Sequence, residues 1–566
     1  MLRGAARGFA PEMSAAWREV GWLAALGLLG LVGLGSIGLV DYDEAAYAEV
    51  ARAMFESGDW LVPRLCGALF FEKPPLLYWL QAAGFAVFGV GEYGARIGTA
   101  LAGAATPIAL WAFARRPLGA RAAFFSALVL ATSLEFFALT RIAFTDMLLV
   151  LWFTICLGAL SRAIRSPERG VGWFALACTA AALAVLTKGA IGILLPGAVA
   201  LAQLLVLGRL RAALRPAWLL LALAIVPVLG FSWYLLLGFT QPGGFGFMRD
   251  LFLEHHVGRF AAPMQGHSGS PLFYVPVLAV GMLPWSPFLP LALARADLRG
   301  AGERAELLRG FALFSGLVFV FFSIAATKLP NYLAPALPGF ALLVGDLFAR
   351  LDVRERDRAF RISLGVALAA ALLLALALAL LPLAPALLPM LLSVRAAERS
   401  GLAGPLALGA AGSLASAALI AASALAVAGF RARRLDRVFA ALAIGFVCTY
   451  TIVFHLALPR FDARFGAPLR RLAVRAAEGL PESEPILLLG LRNRPSVCFY
   501  AERAAEYVRP TAGPTATAQL FGSPGPRIGI TSDPILSRFP ARERLEILVR
   551  DADYALFRSR PEPSAR

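Results

Sequence analysis

About thirteen apolar runs, each near the length that crosses a bilayer as a helix, recur along this chain of 566 residues. They lie near 21–40, 97–114, 122–139, 146–161, 171–187, 190–207, 217–239, 272–294, 310–326, 332–349, 362–385, 402–430 and 438–457. So much hydrocarbon, 59% hydrophobic residues and a mean hydropathy of +0.71, excludes an ordinary soluble protein and predicts a polytopic α-helical membrane protein. The first run follows a tail carrying Arg3, Arg7 and Arg18 and has no small-residue cleavage site, which makes it an anchor rather than a removed signal.

The formal charge is +17, from 53 Lys and Arg against 36 Asp and Glu. In a soluble domain that excess would point to nucleic acid. Here the basic residues sit in short clusters between apolar runs, so the positive-inside rule accounts for them and no nucleic-acid partner is expected. One run, Pro75 to Gly91, is too short to be a secure span and decides the topology. If it lies flat on the surface, the clusters around Arg115, Arg162, Arg209, Arg295, Arg350 and Arg431 all fall on the side of the N-terminus; if it spans, all move outside. The flat reading leaves only short inner loops without a Gly-rich phosphate loop. The long polar segments 41–96, 240–271 and 458–566 then face outward, where chemistry on nucleotide-activated substrates is not expected. Residues 1–457 read as the membrane module, with juxtamembrane helices in the outer segment 41–96. Residues 458–566 read as a small α/β domain with strands at 485–489, 527–530 and 554–557 and a helix at 541–549. Of five cysteines, Cys156, Cys178 and Cys448 fall inside spans, and the sequence does not decide whether Cys66 and Cys498 pair.

The stretch Asp41-Tyr42-Asp43-Glu44, continuing through Tyr47-Ala48-Glu49, follows directly on the first run. Carboxylates at a membrane edge are costly to desolvate and are functional candidates. Asp41 and Glu44 are spaced nearly as a capping box, which explains one acid but not three. Further along, Glu72-Lys73-Pro74-Pro75 presents Lys73 at the mouth of a helix, either as a phosphate ligand or as a snorkelling interface residue. Arg141, Thr145 and Asp146 face the same way, as does Lys188, read as an interface anchor. Glu254, His255, His256 and Arg259 suit a metal ligand or phosphate clamp, or a solvated helix. Lys328-Leu329-Pro330-Asn331-Tyr332 adds a cation and a phenol. Cations with acids on one face are the chemistry expected for a lipid-linked phosphate and a group transferred from it.

In this order, over roughly residues 20–350, these motifs resemble the lipid-carrier-dependent glycosyltransferases of the GT-C superfamily, most of all the aminoarabinose (lipid A) transferase branch, related to protein O-mannosyltransferases. The resemblance implies an undecaprenyl-phosphate-linked sugar donor, 4-amino-4-deoxy-L-arabinose in that branch. It also implies lipid A or another cell-surface acceptor and a bacterial inner membrane with the active site facing the periplasm. Asp43 would be the catalytic acid and Asp146 a second one. Lys73, Arg259 and Tyr332 would hold the lipid phosphate, with Glu44, Tyr47 and Lys328 also binding substrate. A divalent metal, zinc or similar, is implied near Glu72 and His255. Asp41, His256 and Ala45-Ala46 depart from the family pattern and leave sugar and acceptor open, with a protein or polysaccharide acceptor as the alternative. A flippase or transporter for the lipid-linked sugar would also use spans and cations, but there is no inverted repeat and no pair of broken helices at mid-membrane.

Overall fold

The computed structural model describes residues 2–246, 269–351, 358–383, 410–481, 483–492, 494–510, 519–522 and 525–560. Glu254, His255, His256 and Arg259 lie outside them. Among the described residues, eight helices are long and apolar enough to cross a membrane, and two bent pairs bring the number to ten. The chain is therefore a multi-pass membrane protein of helical class.

Three of the apolar runs are broken helices, where the sequence predicts no such pair; the run 217–239 bends by 54° between Pro216–Gly230 and Ser232–Thr240. The run 122–139 divides into Ala120–Ala131 and Leu134–Leu139, and the run 272–294 bends by 112° between Pro271–Gly281 and Ser286–Arg295. These last two breaks face each other and satisfy each other's polar groups: Trp285 Nε1 donates to Thr132 Oγ1 at 2.8 Å, and the Leu134 N–H donates to the Leu283 carbonyl at 3.3 Å. Irregular backbone at membrane depth is tolerated where protein buries it in this way.

Ion pairs sort the connections onto two faces. Arg115 meets Glu19 at 3.6 Å, Arg116 and Arg165 converge on Glu303 at 3.4 and 3.1 Å, and Arg121 meets Asp436 at 2.6 Å. Arg304 and Arg350 both bind Asp346, and Arg350 also donates to the Arg295 carbonyl. These contacts put the arginine clusters on one face with the first helix, as the charge pattern requires. The helix Leu76–Phe88 has 13 residues, roughly 20 Å of rise against a hydrocarbon core of about 30 Å. It stays on the opposite face, packed on the helix Asp43–Ser57 through Tyr78 against Tyr47 and Phe85 against Phe55. It turns into Glu92–Leu118 where Gly84 and Gly94 approach so closely that a Cβ on Gly84 would stand 2.1 Å from the Gly94 carbonyl oxygen.

The C-terminal domain is a five-stranded sheet. We label its strands β1 (Ile486–Leu489), β2 (Ala505–Val508), β3 (Ile528–Ser532), β4 (Leu545–Asp551) and β5 (Tyr554–Ser559); their order is β2-β1-β3-β5-β4. The helix expected at 541–549 does not form. A single turn at Arg542–Arg544 leads into β4, because Leu545, Ile547 and Val549 alternate and pair with β5 across the two-residue turn at Ala552 and Asp553. Cross-strand pairing overrides the helix propensity of the Arg- and Glu-rich segment before it.

The domain is anchored by the short helix Pro495–Ala501. Asp41 accepts from the Ser496 N–H at 3.0 Å and from its hydroxyl at 2.6 Å. Tyr500 donates to Glu92 at 2.8 Å and accepts from the Leu39 N–H, and Cys498 forms a disulfide with Cys66. The bond closes a loop 432 residues apart, so replacing both cysteines by serine should cost about 2–5 kcal/mol and loosen the domain. Thermal unfolding in detergent and limited proteolysis at 458–566 would read this. Unchanged melting would mean that the hydrogen bonds hold the domain without the bridge.

Candidate active site

The three leading acids have three different fates. Asp41 is spent on the C-terminal domain, as above. Glu44 is fully buried, and both oxygens are taken by protein donors. Oε1 accepts from Arg96 Nε at 2.7 Å and the Ala143 N–H at 2.8 Å; Oε2 accepts from Arg96 Nη2 and the Val40 N–H, each at 2.8 Å. No surface is left for a ligand, so Glu44 is a positioning residue rather than the substrate ligand expected from its motif. The anticipated capping box does not form: Glu44 accepts from the Val40 N–H rather than from that of Asp41, and the Asp41 side chain turns to Ser496.

Asp43 opens the helix Asp43–Ser57 and lies among several ionic groups. Burial raises its carboxyl above the ordinary aspartate value of 3.8, the nearby Lys73 charge pulls the other way, and Glu72 and Asp146 raise it further. Lys188 lowers it slightly. The Tyr47 phenol, also buried, is pushed well up by burial and then by the Asp43 charge, which keeps it a neutral hydrogen-bonding group. Asp43 therefore lies within electrostatic reach of Lys73, Glu72, Asp146 and Lys188.

Asp146 is held by Lys188 Nζ at 2.6 Å and by Asn331 Nδ2 at 2.8 Å, and the same ammonium lies 4.6 Å from the Tyr332 ring centroid. Lys188 is thus a member of the site and not the interface anchor expected. It occupies the last turn of Val171–Lys188, where the helix dipole favours a cation, and Gly189 at φ 78 ends the helix. The signal that could have revealed it is the Thr187-Lys188-Gly189 turn, too short to be specific alone. Asn331, in the Lys328-to-Tyr332 turn, gave no signal.

Lys328 does not serve as a ligand. Its ammonium donates to the carbonyls of Phe322, Ser323 and Ala325 at 2.8, 2.7 and 2.5 Å, which uses all three donors to pin the turn. That turn brings Tyr332 and Asn331 to Asp146. Asp59 is likewise architectural, accepting from the Leu61 and Val62 N–H groups at 3.1 Å. Arg141 turns away, donating to the Leu29 carbonyl at 2.6 Å with its guanidinium over Phe137.

For the metal expected at Glu72 and His255, no group of three or more His, Cys, Asp or Glu side chains among the described residues gathers to hold an ion. His255, like Arg259, lies outside them.

The family described as dolichyl-phosphate-mannose-protein mannosyltransferase matches residues 72–234, a segment holding Lys73, Asp146 and Lys188. The fold is similar to that of ArnT from Cupriavidus metallidurans bound to undecaprenyl phosphate, with a TM-score of 0.78 at 25% identity over 95% of this chain and 97% of that one. Its apo state gives 0.76. Together with the two-faced bundle and the acids and lysines gathered around Asp43, these likenesses define the class the chain resembles, the lipid-carrier-dependent glycosyltransferases of the GT-C superfamily. Within it, the chain is similar to the undecaprenyl phosphate-alpha-4-amino-4-deoxy-L-arabinose arabinosyl transferases of Pseudomonas paraeruginosa, 35% identical over 62% of this chain and 63% of that protein, and of Edwardsiella ictaluri, 32% identical over 57% of each. The matched region thus covers less than two thirds of the length of these curated relatives.

Proposed function

We propose that this protein is an inverting glycosyltransferase. It moves a sugar of the 4-amino-4-deoxy-L-arabinose class from an undecaprenyl-phosphate carrier to lipid A or a similar acceptor on the periplasmic face of a bacterial inner membrane. The observation that carries the reading is that Asp43 lies within electrostatic reach of both Lys73 and Asp146, with Lys188 paired to Asp146 at 2.6 Å, on the face opposite the arginine clusters. The compartment has independent support. A disulfide on the Asp43 face suits the oxidising side of a membrane, and arginine clusters suit the other.

In a single displacement, an acceptor oxygen attacks the anomeric carbon. The bond from that carbon to the carrier phosphate breaks, and its electron pair leaves with the phosphate. Lys73 lies at the mouth of Leu76–Phe88, where its charge and free helix N–H groups offset the developing phosphate charge. A phosphate acceptor is already an anion and needs no base; a hydroxyl acceptor gives its proton to the Asp43 carboxylate. The Glu44 contacts to Val40 and Ala143 keep Asp43 and Asp146 in register, since Ala143 lies three residues before Asp146. A divalent ion near Glu72 is part of the proposal; loss of transfer on chelation and its return with zinc is the expected outcome.

The function is tested by mass spectrometry of lipid A and surface glycans with and without the gene, followed by transfer assays on purified protein with the lipid-linked sugar. An unchanged glycan profile and no transfer would overturn the reading; sugar appearing on protein or polysaccharide would overturn only the acceptor. Lys73→Ala should raise the donor KM by roughly 10- to 100-fold with a smaller change in kcat, as expected for a charge-assisted phosphate contact. An unchanged donor KM would remove Lys73 from the phosphate site.

A further inference from the structure

On the arginine-rich face, away from Asp43, two features built by the same four helices meet. The turn after Thr145–Arg165 and the connection between Ile191–Val206 and Pro216–Ile225 enclose a cleft of about 570 Å³ lined by Arg169, Arg209, Arg211 and Arg215 with Glu168. Elsewhere on this face several arginines pair with acids: Arg116 and Arg165 with Glu303, Arg304 and Arg350 with Asp346, Arg121 with Asp436. In the cleft, four guanidinium groups meet one carboxylate. Arg215 reaches Glu168 at 3.4 Å, and Arg209 donates only to the carbonyls of Ile164 and Arg165 at 3.0 and 3.2 Å. Among the described residues, no carboxylate pairs with Arg169 or Arg211. The cleft therefore holds an excess of positive charge that the described residues leave uncompensated.

Directly into the bilayer from it runs an apolar groove of about 290 Å³, walled by Leu160, Cys178, Pro196, Leu201, Leu204 and Trp218. Ile164 joins the two features, since its side chain lines the groove and its carbonyl accepts from Arg209. Trp218, three residues after Arg215, stacks on Phe174 at 4.2 Å, and its buried Nε1–H has no hydrogen-bond partner among the described residues. Leu201 is 51% exposed, so the groove opens sideways to lipid. The positive-inside rule alone would place arginines here without an apolar groove ending on them.

We infer that cleft and groove form a binding site for an anionic glycerophospholipid of the adjacent leaflet, with its phosphate among Arg169, Arg209, Arg211 and Arg215 and an acyl chain against Leu204 and Trp218. Basic pockets between spanning helices on this side of a membrane recognise anionic headgroups in this way. The proposed carrier phosphate belongs at Lys73 on the opposite face, so this lipid is a separate ligand.

The test is native mass spectrometry of the full chain in detergent, titrated with phosphatidylglycerol, phosphatidylcholine or glycerol phosphate. Phosphatidylglycerol should be retained well over phosphatidylcholine. R169A/R211A, at two exposed positions, should weaken it roughly thirtyfold, the product of two surface charges. R431A/R434A removes equal charge from the same face and should leave retention unchanged. Ala200→Trp, filling the groove, should weaken the lipid but not glycerol phosphate, with its melting temperature confirming that it folds. Equal retention of the two lipids, or equal effects of the two arginine pairs, would overturn the site. Glycerol phosphate displacing the lipid at equal concentration would reduce it to a phosphate cleft and overturn the groove.

Discussion

Asp43→Asn should lower transfer to a hydroxyl acceptor by about 10²- to 10⁴-fold, as for loss of a general base, while the protein folds and inserts as before. The sign of its stability change separates a functional acid from a structural one. Burial raises the Asp43 carboxyl above 3.8, so the fold disfavours its ionised form. A group whose folded pKa is raised binds its proton more tightly in the native state. Its penalty is absent at pH below the unfolded value and fully present above the raised one. The neutral amide removes that penalty, so at neutral pH the inactive variant should melt no lower than the wild type, the trade-off expected where a strained charge serves chemistry. Wild-type transfer should correspondingly fail, on acidification, at a pH above that of a free aspartate. Transfer assays beside thermal unfolding in detergent decide it: full activity in Asp43→Asn ends the catalytic reading, and a large loss of stability would make Asp43 structural.

The neighbouring acid should behave in the opposite way. Glu44→Leu or Arg96→Leu leaves a fully buried charge without its partner, and each should cost about 3–5 kcal/mol. Arg96 should be the worse loss, because it also donates to the carbonyls of Leu34, Ile37 and Gly38 and so shapes the chain leading into Asp41. The double variant should recover part of the loss, giving a coupling of the same sign as the pair. Melting temperatures of the three variants measure this, and additive losses would show that the two side chains act separately. Transfer by whatever folded Glu44→Leu survives should also fall, since Ala143 loses its acceptor and Asp146 its register with Asp43.

One residue apart, Asp43 and Glu44 thus carry different duties, which no periodicity could separate. The sequence alone determined what depends on composition and local pattern. The helical multi-pass class, the sidedness of the arginine clusters, the short helix at Leu76–Phe88 and three strands of the tail follow from hydropathy, charge and alternation, whereas of about thirteen expected spans eight to ten stand among the described residues. It also marked Asp43, Lys73, Asp146 and Tyr332, because ions and phenols stand out against hydrocarbon. Only the tertiary structure decided which ionic groups are already satisfied. Lys188 was recruited to Asp146 from 42 residues away, Lys328 was consumed by its own turn, Asp41 was drawn to Ser496 across 455 residues, and Cys66 was joined to Cys498. The physical reason is that a charge near a membrane must find a partner, and the partner that desolvation selects is set by packing in space, at sequence distances over which local pattern carries no information.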